Sequence, residues 1–151
     1  MRTQSSKPNA QSVYNKLPYV NLYTDGASRG NPGPAALGLV ILDPDGKVLI
    51  EHGEYLGVTT NNQAEYTAII RALQYAKKFT KDDVHVFMDS ELAQRQLTGR
   101  YKVKNKDIAA RVAEVIRASK AFKSVVYSHI PREKNKQADR MANEALDRLS
   151  G

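Results

Sequence analysis

Four short segments of the sequence each bring a carboxylate to the end of an apolar run or the start of a helical pattern. The segments are Tyr23-Thr24-Asp25-Gly26, Asn61-Asn62-Gln63-Ala64-Glu65, Phe87-Met88-Asp89-Ser90 and Gln137-Ala138-Asp139. If the fold gathers these acids about 5 Å apart, each pair repels by about 3 kcal/mol at an effective dielectric constant near 20. Such a cluster stays ionised only around cations, and hard oxygen ligands favour magnesium. The segments therefore predict a divalent-metal site.

Asp25 and Asp89 are both interpreted as residues at strand ends. Asp25-Gly26 is a common turn dipeptide, but the Gly- and Pro-rich stretch 27–34 that follows is too long for a two-residue hairpin. Asp25 is therefore predicted to end a strand. Asp89 could form a helix cap together with Ser90. The apolar run 84–88 also places Asp89 at the carboxyl end of a strand, where α/β sheets bind ligands, and both roles stay open.

Glu65 and Asp139 are predicted to point inwards from the first turns of two helices. A helix cap is the alternative for Glu65, which follows Asn62 by three residues. However, apolar residues recur at helical spacing after both acids, so each acid shares the apolar face of its helix. A carboxylate on that face needs a partner, because burying it alone is costly. His129, in another apolar run, is by its type more often a packed residue than a catalyst.

Length and composition describe one domain with a basic surface. The 151 residues fit a single core, and the absence of cysteine excludes disulfides, thiolate zinc sites and cysteine nucleophiles. No apolar run reaches the ~20 residues that span a bilayer, and the polar start has no apolar stretch typical of a signal peptide. A cytoplasmic monomer without a membrane partner is expected. The net charge of +7 favours a polyanionic partner such as nucleic acid.

Hydrophobic periodicity predicts an α/β fold. Residues 1–17 contain no acid and few large apolar groups, so they are predicted to form a flexible basic tail, with the folded domain at 18–151. Strands are predicted at 19–24, 37–42, 47–56, 84–88 and 124–130. Helices are predicted from 61 to 76 and at 90–97, 107–118 and 136–149. This βββαβααβα order implies a five-stranded mixed sheet, three antiparallel strands then two parallel ones, flanked by helices.

Taken together and in this order, the segments resemble the type 1 ribonuclease H family over nearly all of the chain from Tyr19 to Leu149. The matching blocks are the opening from Tyr23 to Pro34, then Thr60 to Glu65, then Asp89-Ser90, and finally Ser128-His129 through Asn135 to Asp139. The resemblance implies the ribonuclease H-like fold, with the catalytic domain at 18–151. It also implies hydrolysis of the RNA strand of RNA–DNA hybrids to 5′-phosphate and 3′-hydroxyl products by a two-metal mechanism.

The resemblance implies a role for each matching residue. Two Mg²⁺ ions, replaceable by Mn²⁺, would be held by Asp25, Glu65, Asp89 and Asp139, with His129 assisting catalysis from a mobile loop. Distinguishing RNA from DNA requires groups that hydrogen-bond the 2′-hydroxyl. Substrate contacts are implied at Gly26, Ser28, Asn31, Thr60, Asn61, Asn62, Ser90 and Asn135. For Thr60 and Ser90, helix capping is the alternative.

One region departs from the family pattern. Many members carry a long, basic, tryptophan-containing protrusion after the third block, whereas this chain has no Trp and only a short basic loop at 100–106. It therefore resembles the short forms of the family. Within the loop, Arg100, Lys102 and Lys104 are predicted to contact phosphate, and a purely solvated loop is the alternative. Glu91 stands where some relatives have Gln, which leaves that substrate contact open.

Other functions are compatible with parts of this pattern. A related nuclease could also act on double-stranded RNA, since the same metal pair cuts any suitably presented phosphodiester. A non-catalytic hybrid-binding module is a second alternative, but it would not need all four acids. A domain of a reverse transcriptase is a third alternative, for which the sequence offers no positive sign.

Overall fold

A computed structural model of the protein describes residues 16–150. Most of the predicted tail, at 1–17, lies outside the described residues. Leu17 packs against the core. Its N–H donates to the carbonyl of Phe79 at 3.1 Å, and its own carbonyl accepts from the Thr80 hydroxyl at 2.6 Å. The described fold therefore begins at Leu17.

The order of strands and helices agrees with the prediction. The strands are β1 (Tyr19–Ser28), β2 (Gly33–Leu42), β3 (Val48–Thr59), β4 (Asp83–Met88) and β5 (Ser124–His129). The helices are α1 (Asn61–Ala76), α2 (Glu91–Leu97), α3 (Lys106–Ser119) and α4 (Lys136–Ser150), with a short 3-10 turn at Arg132–Lys134. None of the helices within residues 16–150 is long and apolar enough to cross a membrane.

The five strands form one mixed sheet in the order β3-β2-β1-β4-β5. Strands β1, β2 and β3 pair antiparallel, while β4 pairs parallel to both β1 and β5. The predicted fold class is confirmed. Because β1, β4 and β5 run in the same direction, their carboxyl ends meet at one edge of the sheet.

Asp25 lies inside β1, and the prediction that it ends a strand is wrong. The strand continues to Ser28 because its antiparallel pairing with β2 continues, with Asp25 opposite Gly38. The parallel pairing with β4, in contrast, stops at Thr24 opposite Met88. Asp25 is therefore the first residue of β1 beyond its ladder with β4, which leaves room for other groups beside it.

Helices cover both faces of the sheet. On one face, alternate residues of the strands, such as Leu22, Leu39 and Val86, pack against the apolar stripe of α1 and against α3. This is the main core, and burial of these side chains is the chief source of stability. On the opposite face, α4 lies over β2 and β3.

Two glycines allow α4 to lie directly on the sheet. A Cβ atom at Gly38 would stand 2.0 Å from the carbonyl oxygen of Ala138, and one at Gly53 would stand 2.2 Å from that of Met141. Gly38 and Gly53 are paired across β2 and β3. Since Gly38 also pairs with Asp25, this close approach brings the first turn of α4 to the neighbourhood of that acid.

Candidate active site

Three carboxylates from different elements meet at the edge of the sheet. Asp25 in β1, Glu65 in α1 and Asp89 after β4 each offer an oxygen atom, and these oxygens lie within 4.8 Å of one another. Asp25 and Glu65 are only 5% and 7% exposed, and Asp89 is partly buried. Acids this close and this buried require cations or protons between them.

Glu65 is held in place by the backbone of β1. The N–H of Gly26 donates to Oε1 of Glu65 at 3.0 Å. A Cβ atom at Gly26 would stand 2.3 Å from the backbone nitrogen of Glu65, so only glycine lets the first turn of α1 approach so closely. The sequence predicted Gly26 as a backbone contact to substrate. In the structure its N–H is directed at Glu65, and a contact of its backbone with substrate stays a prediction.

Asn135 is a buried residue that positions the carboxylate of Asp89. Its side chain is 1% exposed, and its Nδ2 donates to Oδ2 of Asp89 at 3.0 Å and to the carbonyl of Thr24 at 2.9 Å. It thus ties the end of β4 to β1. The sequence placed Asn135 among the substrate contacts; the structure shows its side chain bonded to Asp89 and to the backbone of β1, and a contact with substrate stays a prediction.

Asp139 is the fourth acid of the cluster. It lies in the first turn of α4 and is partly buried, with Oδ1 accepting from Nδ2 of Asn143 at 3.2 Å. Its carboxylate is near enough to Asp25 to interact with it directly. The structure therefore gathers all four predicted acids, with Asp139 more open to solvent than Asp25 and Glu65.

Burial and mutual repulsion raise the pKa values of Asp25 and Glu65. For Asp25 the largest cause is loss of solvation, followed by the charges of Glu65 and Asp89. Loss of solvation also dominates for Glu65, together with Asp89, while the Gly26 N–H and the nearby Arg132 act in the opposite direction on its pKa. These acids fit a divalent cation, because hard oxygen donors from separate elements converge on one point.

His129 is the last residue of β5 and is exposed. It is paired with Met88, and the N–H of Ile130 donates to the Met88 carbonyl at 2.8 Å. The family resemblance implied a mobile loop, whereas the structure places His129 on a hydrogen-bonded strand end. Because Asp89 follows Met88, His129 lies on the strand next to the acidic cluster.

The predicted polar contacts fall into two groups. Thr60 and Ser90 cap α1 and α2, their hydroxyls accepting from the N–H groups three residues later at 3.1 Å. Their capping alternative is thus observed. Asn31 and Asn61 are exposed, and Oδ1 of Asn31 accepts from the Asn61 N–H at 2.9 Å. Of the remaining residues in this set, the side chains of Ser28 and Asn62 are partly buried.

A cleft beside the acids contains residues that the sequence did not single out. It lies between the first turns of α1 and α3, and its lining includes Asn31, Thr60, Asn62, Gln63 and Asn105. Oδ1 of Asn105 caps α3 by accepting from the N–H groups of Asp107 and Ile108 at 2.8 and 3.1 Å. In the sequence, an Asn before a helical pattern indicates only a cap. Arg132, beside Glu65, gave no sequence signal.

The basic loop leads into this cleft. Arg100, Lys102 and Lys104 are exposed, whereas Val103 between them packs against the core. The guanidinium of Arg95 lies over the ring of Tyr101, 5.4 Å from its centroid. The loop is thus anchored at two points and presents its cations to solvent just before α3.

Comparisons with known proteins agree with this geometry. Residues 23–145 match the profile of a family described as reverse transcriptase-like. The chain is 44% identical over 128 residues to ribonuclease HI of Halobacterium salinarum, covering 85% of this chain and 64% of that protein. Two mycobacterial relatives are 40% identical to the chain over 129 residues, and the chain spans 35% of their length. Ribonuclease H of Methylococcus capsulatus is 33% identical, with 87% of this chain and 92% of that protein covered.

Two solved structures that match the fold of this chain are also ribonucleases H. The crystal structure of the Halobacterium salinarum ribonuclease H1 matches with a TM-score of 0.83 at 44% identity, covering 85% of this chain and 98% of that one. LC11-RNase H1 in complex with an RNA/DNA hybrid matches with a TM-score of 0.82 at 44% identity, covering 87% and 99%. The matched family profile, over residues 23–145, covers the residues that form the acidic cluster. The chain belongs to the ribonuclease H family.

Proposed function

We propose that the protein hydrolyses the RNA strand of RNA–DNA hybrids, leaving 5′-phosphate and 3′-hydroxyl ends. The observation that carries this proposal is the convergence of Asp25, Glu65 and Asp89 within 4.8 Å, with Asp139 beside them. A hybrid as substrate is supported by the similar protein LC11-RNase H1, which was solved in complex with an RNA/DNA hybrid.

The four acids would hold two Mg²⁺ ions, or Mn²⁺ in their place. Bound there, the ions would activate water for in-line attack and stabilise the departing 3′-oxygen. Other residues of the chain hold the carboxylates in position. Gly26 fixes Glu65 and Asn135 fixes Asp89, each by a hydrogen bond of 3.0 Å to a carboxylate oxygen. Because these partners are buried or part of the backbone, the acids are oriented before substrate arrives.

Substrate recognition would use the surface between α1 and the basic loop. The helix dipoles at the first turns of α1 and α3 favour a phosphate in the cleft between them. Exposed amides such as Asn31 and Asn61 can hydrogen-bond a 2′-hydroxyl, which both donates and accepts. The remaining candidates for contacts to the hybrid are Gly26, Ser28, Thr60, Asn62, Ser90, Arg100, Lys102, Lys104 and Asn135.

Asp139→Asn and His129→Ala should leave more residual activity than substitutions of the three central acids. Both residues lie at the rim, where water can partly replace a peripheral ligand or a proton carrier. Single-turnover cleavage of a labelled hybrid in saturating Mg²⁺ measures this difference. If either variant is as inactive as Asp89→Asn, the assignment of a peripheral role to that residue is wrong.

Replacing Arg100, Lys102 and Lys104 together by Ala should weaken hybrid binding and leave the maximal rate nearly unchanged. Each lost phosphate contact removes about one unit from the slope of log affinity against log salt, so the slope should fall by up to about 3. Binding titrations at several salt concentrations provide the measurement. An unchanged slope would show that the loop only faces solvent.

The proposed activity is tested by incubating the protein with end-labelled hybrid, RNA duplex and DNA duplex of one sequence, with Mg²⁺ and with chelator. Cleavage of the RNA strand of the hybrid, dependent on Mg²⁺ and leaving 3′-hydroxyl ends, is expected. Comparable cleavage of the RNA duplex would instead support the broader nuclease. Binding of hybrid without cleavage in any divalent metal would indicate a non-catalytic module.

A further inference from the structure

The protein has a second basic surface, at the end of the molecule opposite the acidic cluster. We call it the basic pole, and it consists of Lys77, Lys78, Lys81, Arg117, Lys120 and Lys123. All six side chains are exposed. These six are about a quarter of the 23 lysines and arginines of the chain. The proposed hydrolysis uses none of them.

The fold brings the six residues together. Helices α1 and α3 begin near the acidic cluster and end at this pole, where β4 and β5 start. The N–H of Lys123 donates to the carbonyl of Lys81 at 3.0 Å, which joins the two connecting segments. Lys77 and Arg117 line one cleft between the ends of α1 and α3, together with Glu114, whose carboxylate is paired with Arg111. The pole is therefore one continuous surface.

Most of the net charge of the protein is located there. Segments 77–83 and 117–123 contain six basic residues and two acids, Asp82 and Asp83, which give +4 of the total net charge of +7. Within residues 16–150, none of the six cations forms an ion pair, whereas five arginines elsewhere do. The ammonium of Lys78 lies over the ring of Tyr75, 5.3 Å from its centroid, which leaves its charge in place, so all six charges are available to a partner.

Stabilisation of helix ends explains only part of the basic pole. Cations near the last carbonyls of a helix are favourable, which accounts for Lys77, Arg117 and Lys120 at the ends of α1 and α3. Lys78, Lys81 and Lys123 lie beyond the last turns, where this effect falls off. Their accumulation on an exposed surface instead matches the electrostatic footprint of a phosphate backbone.

A duplex bound at the acidic cluster does not reach the basic pole. Tyr19 lies at the pole end of β1 and Asp25 at the site end, and six strand residues span about 20 Å. Duplex DNA is stiff over about 150 base pairs, so a straight duplex does not turn around the domain to contact both ends. We propose that the basic pole binds the backbone of a second nucleic-acid duplex, without sequence preference, while the acidic cluster is free to engage a hybrid.

The proposal is tested by removing charge from the pole while keeping the residues at the helix ends. The variant carries Lys78→Gln, Lys81→Gln and Lys123→Gln, and the matched control carries Arg100→Gln, Lys102→Gln and Lys104→Gln in the basic loop. Binding of a DNA duplex is titrated at several salt concentrations. The pole variant should lose at least about tenfold in affinity near 0.1 M salt and up to about 3 units of salt slope. Its rate of cleavage of a short hybrid should not change.

A bridging assay separates the two surfaces. An immobilised hybrid is loaded with protein in chelator and then exposed to a labelled DNA duplex. Wild type should retain the labelled duplex, and the pole variant should bind the hybrid but retain at least about tenfold less label. Equal retention by both proteins would overturn the proposal, as would binding to vesicles of anionic phospholipid with none to DNA. If wild type does not cleave the hybrid, the hydrolase assignment is wrong, whereas the binding of a duplex at the basic pole is still tested by the retained label.

Discussion

Asp25→Asn, Glu65→Gln and Asp89→Asn should each reduce cleavage of an RNA–DNA hybrid by at least about a thousandfold. Each change keeps the shape of the side chain and removes one charged oxygen ligand. Because the three carboxylates lie within 4.8 Å of one another, they would share the same ions, and the remaining two acids cannot restore the site. The effect should appear in the rate of the chemical step and not in hybrid affinity measured in chelator.

The matched control for these substitutions is Asp45→Asn. Asp45 is an exposed acid in the turn between β2 and β3, at the far end of β2 from the site. Asp45→Asn removes the same charge as the other substitutions but away from the site, so this variant should cleave hybrid at the wild-type rate. Cleavage by Asp25→Asn at the wild-type rate in saturating Mg²⁺ would contradict the metal-site assignment.

The order of the elements and the gathering of the acids could be predicted because both depend on local patterns. Alternating apolar residues indicate strands, and three- and four-residue spacing indicates helices. The position of Glu65 on the apolar stripe of α1 followed from that spacing, and its burial is confirmed. The four family blocks, in their order along the chain, placed the acids in one site.

Other features could not be predicted because they depend on distances between elements. Nothing in the sequence around Gly26 or Gly38 shows that a helix backbone passes within about 3 Å of the position of a Cβ atom. Asn135 was interpreted as a substrate contact because an amide in a family block can bind either substrate or protein. The structure shows the contact to protein, in which the buried side chain donates to Asp89. The basic pole likewise forms from two segments forty residues apart in the sequence.

In metal-free protein, Asp25→Asn should increase the free energy of unfolding by about 1 to 3 kcal/mol while abolishing activity. Burial and the neighbouring acids raise the pKa of Asp25 from 3.8 to about 9. Between these values the folded state binds a proton that the unfolded state has released, so folded wild type loses stability as pH rises through this range. Below pH 3.8 both states are protonated and the penalty is absent. Asn does not titrate, so the advantage of the variant should grow from pH 4 towards pH 9.

Thermal melts in chelator and in excess Mg²⁺, at pH 5 and pH 8, measure this opposition between stability and function. Wild type should start lower at pH 8 and gain melting temperature with Mg²⁺, because ions that bind only the folded state stabilise it by mass action. Asp25→Asn should start higher and gain less, whereas Asp45→Asn should follow wild type. If Asp25 served only the geometry of β1, Asn would change stability by a few tenths of a kcal/mol at either pH. Equal Mg²⁺ shifts in Asp25→Asn and wild type would show that Asp25 does not share a metal site with Glu65 and Asp89.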